Sequence, residues 1–147
     1  MLEISFTVPG QPVAQPRQRH RAVMIGDRPH SLNYTPRNDP VQSFKLAVQV
    51  LAKSRYSGRL LGPLEVRITA VFRRPRSRCT WVRGWHTAKP DCDNLAKSVL
   101  DALNEILWQD DGQVASLIVT KLFAAHGEGP HTIIEVRQMA TFDSVRE

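Results

Sequence analysis

Lys89-Pro90-Asp91-Cys92-Asp93-Asn94-Leu95-Ala96-Lys97 opens a helix, and the fold follows from what flanks it. Leu95, Val99, Ala102 and Leu103 recur at i, i+4, i+7 and i+8, a core-facing stripe, so the spacing predicts a helix over about Asp93 to Asn104. Upstream, Leu64, Val66, Ile68, Ala70 and Phe72 alternate with Glu65, Arg67 and Thr69, the mark of a half-buried strand. Downstream, Gln113 to Phe123 is a strand apolar on both sides. Gly127-Glu128-Gly129-Pro130 turns the chain, and Thr132 to Gln138 returns as another strand.

Working outward, Leu2, Ile4, Phe6 and Val8 alternate with polar residues in a first strand ended by Pro9-Gly10. Residues 9 to 40 have no periodicity and read as one long loop, a length usually tied to function or disorder. Asp39-Pro40 then starts a helix carrying Val41, Phe44, Ala47, Val48 and Leu51 on one side, fraying near Ser54 to Gly58. The tail from Met139 to Glu147 shows no pattern. The order β-α-β-α-β-β predicts an α/β fold, a mixed four-stranded sheet with two helices packed on one face. A chain of 147 residues is long enough for one domain, 1–147, with a core that needs no disulfide or structural metal.

The formal net charge is +6, and arginine outnumbers lysine fifteen to five. Guanidinium forks suit bidentate phosphate contact better than a merely soluble surface requires. Arg17, Arg19 and Arg21 fall in one basic stretch, and Arg73, Arg74, Arg76, Arg78, Arg83 and Lys89 in a second that contains no acid. The bland reading is a solvated basic face; the sharper one is nucleic acid as partner. Met1-Leu2-Glu3-Ile4 does not read as a signal peptide, and no apolar run approaches the ~20 residues of a membrane span. These features predict a cytoplasmic protein, bacterial or phage-encoded. Cys79 and Cys92 lack CxxC spacing and read as free thiols of a reducing compartment.

Against that positive background, Asp91, Asp93, Asp110 and Asp111 are four of the fourteen acids in two short clusters. Grouped carboxylates repel unless a cation lies between them, and their oxygens are ligands that Mg²⁺ and Mn²⁺ prefer. Asp91 and Asp93 are two apart and converge only if Asp91 precedes the helix in extended conformation. One of them as a simple helix cap accounts for one acid, not for both clusters. Lys97 is four residues after Asp93 and four before Asp101, so an ion-pair ladder competes with a role beside a phosphoryl oxygen.

A helix from Asp93 to Asn104 runs about 16 Å. Glu105 to Asp111, if extended, return roughly 23 Å, so the clusters can close within one chain. Closure requires a stop at Asn104, a residue that tolerates left-handed backbone; a helix running on to Trp108 would demand two subunits. Strand alternation does not choose between Asp110 and Asp111, and Asp110-Asp111-Gly112 is also a plausible turn.

Pro90-Asp91-Cys92-Asp93-Asn94-Leu95-Ala96-Lys97, Leu100-Asp101-Ala102-Leu103-Asn104 and Trp108-Gln109-Asp110-Asp111-Gly112-Gln113-Val114 together resemble the RusA family of Holliday junction resolvases. Gln15-Pro16-Arg17-Gln18-Arg19-His20-Arg21 with Tyr34-Thr35-Pro36 is similar to the basic segment of many phage-type members. The resemblance implies metal ligation by Asp91, Asp93 and Asp111, a catalytic Lys97, and Mg²⁺ as cofactor with Mn²⁺ able to substitute. It selects Asp111 over Asp110. It implies a homodimer that cuts two opposed strands of a DNA four-way junction in recombination and repair. The implied chemistry is metal-assisted hydrolysis of a phosphodiester, with the Lys97 charge beside the phosphate, leaving a 5′-phosphate and a 3′-hydroxyl. No membrane and no organic cofactor are implied.

Two other functions fit the same residues. One is a non-catalytic basic DNA-binding module with structural aspartates; the other is a nuclease of this fold acting on flaps, forks or RNA. Trp81 and Trp85, inside the second arginine-rich stretch, either stack on exposed bases or anchor a local cluster. Trp108 reads as a core residue beside Leu107. His20, His30, His86, His126 and His131 have no metal-ligand spacing, and Cys79, His86 and Cys92 lack the fourth ligand of a zinc site.

Overall fold

A computed structural model describes residues 1–17, 19–78 and 80–142. The expectations for Gln18, Cys79 and residues 143–147 lie outside the described residues. Strand β1 (Glu3–Pro9) leads to a hairpin, β2 (Arg19–Ile25) and β3 (Arg28–Tyr34), and then to helix α1 (Pro40–Arg55). Strand β4 (Leu64–Phe72), the two-residue β5 (Gly84–Trp85), helix α2 (Cys92–Leu103), β6 (Val114–Phe123) and β7 (His131–Gln138) follow.

The main sheet has five strands in the order β1-β7-β4-β6-β5. Strands β4 and β6 pair in parallel, and α2 lies on the connection between them, as parallel neighbours require. The mixed sheet and its two helices agree with the sequence; the strand count does not. Here β5 adds a fifth strand, pairing only Gly84 with Phe123 and Trp85 with Leu122. A two-residue segment has no period to read.

The expected 9–40 loop also needs correction, because its middle is the β2–β3 hairpin, paired from Arg19–Tyr34 to Ile25–Arg28. Gly26 at φ 61° supplies the left-handed turn. The two strands are exposed almost throughout, so no apolar side alternates with a polar one and no pattern announces them.

The period-two strands bury one face. Ile4, Phe6 and Val8 of β1, Leu64, Val66 and Ile68 of β4, and Ile134 and Val136 of β7 form the core with residues of both helices. Phe44, Val48 and Ala52 come from α1, and Ala96, Val99, Ala102 and Leu103 from α2. Each fully buried Val, Leu or Phe contributes roughly 1.5–3 kcal/mol of transfer free energy. The other face carries Glu3, Glu65, Arg67 and Arg137, where Arg137 and Glu65 pair at 3.0 Å. Asp39 caps α1 by accepting from the Val41 amide at 3.0 Å, with Pro40 in the first turn as the sequence predicts.

Candidate active site

The start of α2 is held by charge rather than by capping. Asp91 has extended backbone (φ −76°, ψ 153°), and its side chain makes no cap bond. Its Oδ2 instead accepts from Lys89 Nζ at 2.5 Å. That hydrogen bond first, and the charges of Lys89 and Lys121 beyond it, hold the Asp91 carboxyl below the ordinary aspartate range. So Asp91 is not spent on the helix, and the cap-only reading does not describe it. Asp93 sits exposed in the first helical turn, and Cys92 between them is free and exposed.

Lys121 fixes this end of the molecule. Its Nζ donates to the carbonyls of Ala88 at 2.7 Å and Pro90 at 2.8 Å, while its own carbonyl accepts from the His86 amide at 3.1 Å. The segment from His86 to Pro90 is therefore stitched to β6 just before Asp91. The sequence offered one signal for Lys121, since it is the lone charge of β6 and lies opposite Ala70 in the apolar register. Gln15 was likewise missed. Its amide bonds the Asn94 carbonyl at 2.9 Å, and Ser98 Oγ bonds the Val13 carbonyl at 2.7 Å. These bonds lay the segment before Arg17 along the first turns of α2.

Lys97 is exposed and pairs with Asp101 at 3.4 Å, and Asp101 also meets Lys45 at 3.8 Å. The ion-pair ladder is thus the contact this structure gives Lys97, worth about 0.3–0.5 kcal/mol.

Asp111 belongs to a different knot. Trp108, fully buried, donates its indole N–H to Asp111 Oδ1 at 2.8 Å. Gln113 Oε1 accepts from the Gln109 and Asp110 amides, and its Nε2 donates to the carbonyls of Leu60 and Gly62 at 3.1 Å. A Cβ at Gly112 would lie 2.8 Å from the Asp110 carboxylate, which would have to swing aside. The Trp108–Gln113 motif is a tight turn that ties the start of β6 to the approach of β4.

These two ends do not meet. Helix α2 stops on schedule, with Asn104 as its cap, but Asn104 has φ −59° and the left-handed residue is Glu105 at φ 63°. The chain then coils instead of extending. Ile106 and Leu107 both bond back to the Leu103 carbonyl, and Leu60 bonds the Leu107 carbonyl at 2.7 Å. The expected closure within one chain is therefore not formed. Asp91 adjoins Lys121 near the end of β6 and Asp111 precedes its start, so about seven strand residues, roughly 23 Å, lie between them. Among the described residues no three His, Cys, Asp or Glu side chains gather as a metal site. One chain offers Asp91 and Asp93, hard oxygen donors suited to Mg²⁺, but not the full three-carboxylate set.

The basic residues divide into free and committed. Arg17, Arg19, Arg21, Arg76 and Arg78 are largely exposed, as is Arg73. Arg74 donates to the carbonyls of Arg78 and Val82 and lies over the Phe123 ring at 5.6 Å. Arg83 forks onto Glu128, with Nε at 3.0 Å from Oε1 and Nη2 at 2.6 Å from Oε2. That hydrogen bond raises the Arg83 pKa and lowers that of Glu128. Lys89 is engaged by Asp91. Trp85 is exposed and, with Arg74, Pro75, Arg78, Gly84 and Phe123, lines an open pocket of about 220 Å³. Trp81, also exposed, packs edge-on to His126. Trp108 is a core residue, as expected.

Comparison with known proteins fits this arrangement. Residues 9–137 match the family of endodeoxyribonuclease RusA. The chain is also 30% identical over 149 residues to the uncharacterized protein YqaN of Bacillus subtilis (strain 168), covering 93% of this chain and 97% of that protein. Among the described residues no helix is long and apolar enough to cross a membrane. With a match that spans both acidic clusters and the two basic segments before them, the chain belongs to the RusA family of endodeoxyribonucleases, the Holliday junction resolvases.

Proposed function

We propose that this protein is a Mg²⁺-dependent homodimeric endonuclease that resolves four-way DNA junctions by paired cuts during recombination and repair. The observation that carries this reading is the start of α2, where Asp91, half-exposed and making no cap bond, and Asp93, exposed, stand together with Lys89 and Lys121 at hand in a chain of net charge +6. Asp91 makes no cap bond, and two carboxylates so placed oppose phosphate binding unless a divalent cation joins them. Asp91, Asp93 and Asp111 are the proposed ligands, with Mn²⁺ able to replace Mg²⁺. Lys97, one helical turn after Asp93, is proposed to set a positive charge against the phosphate as negative charge grows on it. Exposed Arg17, Arg19, Arg21, Arg73, Arg76 and Arg78 would hold the phosphodiester backbone, and two cuts on opposed strands need two copies.

The test is cleavage of a synthetic four-way junction with and without Mg²⁺, comparing the parent with Asp93→Asn. The parent should cut symmetrically and only with metal, and Asp93→Asn should bind the junction without cutting. An Asp93→Asn protein that cuts at the parental rate would end the proposal. Flaps, forks and RNA duplexes at matched salt complete the assay, since phosphate binding alone does not discriminate among them.

A further inference from the structure

The segment between β4 and α2 holds a run that the cleavage reading leaves unused, Trp81-Val82-Arg83-Gly84-Trp85. It lies in a stretch, 73–89, with six basic residues and no acid. Trp81, Val82 and Trp85 are 83%, 70% and 74% exposed, more apolar surface than a solvated turn needs. Yet Trp85 is not loose. Its backbone is held in β5 opposite Leu122, and the next residue, His86, donates its amide to the Lys121 carbonyl at 3.1 Å. The His86 ring is buried between Phe72 and Phe123, with ring centres at 4.2 Å and 4.5 Å. A packed row of rings therefore supports an exposed indole.

Beside that indole lies the open pocket of about 220 Å³ that Trp85 forms with Arg74, Pro75, Arg78, Gly84 and Phe123. Two aromatic rings and a proline make its apolar walls, and its charged groups are both cations. Arg74 is fixed there by the Arg78 and Val82 carbonyls, with its Cζ 5.6 Å from the centre of the Phe123 ring. Gly84 makes room for that guanidinium, since a Cβ would lie 2.5 Å from Arg74 Nη2. Aromatic faces edged by guanidinium donors suit a flat ring rich in acceptors, and a nucleobase is such a ring. On the other flank of Trp85, a depression of about 300 Å³ lined by His86, Thr87, Cys92, Thr120 and Lys121 runs to the start of α2. Trp85 thus stands between the pocket and the Asp91–Asp93 end.

We propose that this pocket receives one nucleobase of the DNA, unstacked from the strand that passes Asp91 and Asp93, with Trp85 as its stacking platform and exposed Arg78 at its edge. The inference rests on the nuclease reading above and adds how branched DNA is told from linear DNA. In a continuous duplex every base is stacked and paired, and drawing one out is costly. At the crossing point of a junction the stack is already interrupted, so the same move costs less. Arginine contacts to phosphate do not make that distinction. Any base can occupy the pocket, because every base has a π-face. Trp81 is set apart from this role, since it packs edge-on against His126 at 4.6 Å.

The experiment uses the full-length protein without divalent metal, so that binding is read apart from cutting, on a four-way junction and a linear duplex at matched salt. Trp85→Ala should weaken junction binding about tenfold, the scale of one lost base–aromatic stack, and duplex binding less than about twofold. The slope of log K against log salt should not change, because a stack releases no counterions. Trp85→Phe should recover most of the junction affinity, and Trp81→Ala should match the parent. A single 2-aminopurine, moved through the bases around the crossing point, should change its fluorescence on binding at a discrete position, and Trp85→Ala should abolish that change. Trp85 is exposed, so circular dichroism should show an unchanged fold. A parent with no preference for the junction, parental junction affinity in Trp85→Ala, or an equal loss on junction and duplex overturns the inference. So does a Trp81→Ala loss as large, or a 2-aminopurine scan with no responding position. A parent that passes every binding test yet leaves junctions whole with Mg²⁺ removes the resolvase reading alone.

Discussion

The two ends of β6 hold acids of the same proposed kind in opposite ways. At one end Asp91 is half-exposed and its side chain pairs with the exposed Lys89, so its loss disturbs nothing packed. At the other, Asp111 satisfies the indole of a fully buried tryptophan and sits in a turn tied to β4 by Gln113. The lesson is that an acid can be adjustable or rigid according to what its first oxygen already does. A site assembled from both kinds has one fixed wall and one that adapts.

The largest expected effect separates these roles. Asp91→Asn should abolish Mg²⁺-dependent cleavage while leaving the urea midpoint nearly unchanged, since it removes only an exposed ion pair. Asp111→Ala should abolish cleavage and also cost about 1–3 kcal/mol, because the Trp108 N–H is left without its acceptor. Asp111→Asn keeps an oxygen for that N–H and should lose cleavage with the fold nearly unharmed. Urea melts beside junction assays check this, and equal stability for the alanine and asparagine variants at 111 would erase the contrast between the two ends.

Next in size is Lys121. Lys121→Met preserves the aliphatic stem but removes two charge-assisted bonds to the Ala88 and Pro90 carbonyls, each worth about 1.5–3 kcal/mol. Cleavage should fall about tenfold or more as Asp91 loses its anchor, with junction affinity changing much less. If kcat holds and only affinity falls, Lys121 serves as a phosphate contact and not as the anchor of the Asp91 segment.

A smaller effect should come from Glu128→Gln, which releases Arg83 from its fork. The freed guanidinium should steepen the dependence of log K on log salt by about one unit and tighten junction binding a few-fold. An unchanged slope in a salt titration would mean Arg83 has no phosphate within reach.

How far the chain was legible follows from the same physics. Strands β1, β4 and β7 bury one side more deeply than the other until Ala70-Val71-Phe72 are buried in succession, so their period of two is visible in Leu64–Phe72 or Thr132–Gln138 without coordinates. The β2–β3 hairpin has no such asymmetry, and its order comes from cross-strand pairing around Gly26, a non-local fact. Asp91 and Asp93 declare themselves by opposing the prevailing charge. The position of Asp111 does not, because it depends on whether Glu105 to Asp110 extend or coil. The bonds from Ile106 and Leu107 to Leu103 decide that, and no residue type in the stretch encodes it alone.

The last and smallest expectation concerns His86, which is joined to β6 through the Lys121 carbonyl just before the Asp91 segment. It is 8% exposed, stacks on Phe72 at 4.2 Å between ring centres, and lies 4.5 Å from Phe123. Burial first, and the neighbouring Lys121 charge second, hold its pKa below the ordinary value of 6.5. The unfolded chain therefore takes up a proton that the folded chain refuses, and stability falls as pH drops from the ordinary histidine value toward the folded one. Above that window both states are neutral and the effect vanishes. Asp91 and Glu128 are depressed carboxyls, so their contributions are lost only at lower pH, below their ordinary values of 3.8 and 4.5. Thermal melts between about pH 7.5 and 5.5 should slope downward for the parent and flatten in His86→Phe, which keeps the stack and removes the proton. A parental slope that survives in His86→Phe would place the titrating group on one of the exposed histidines instead.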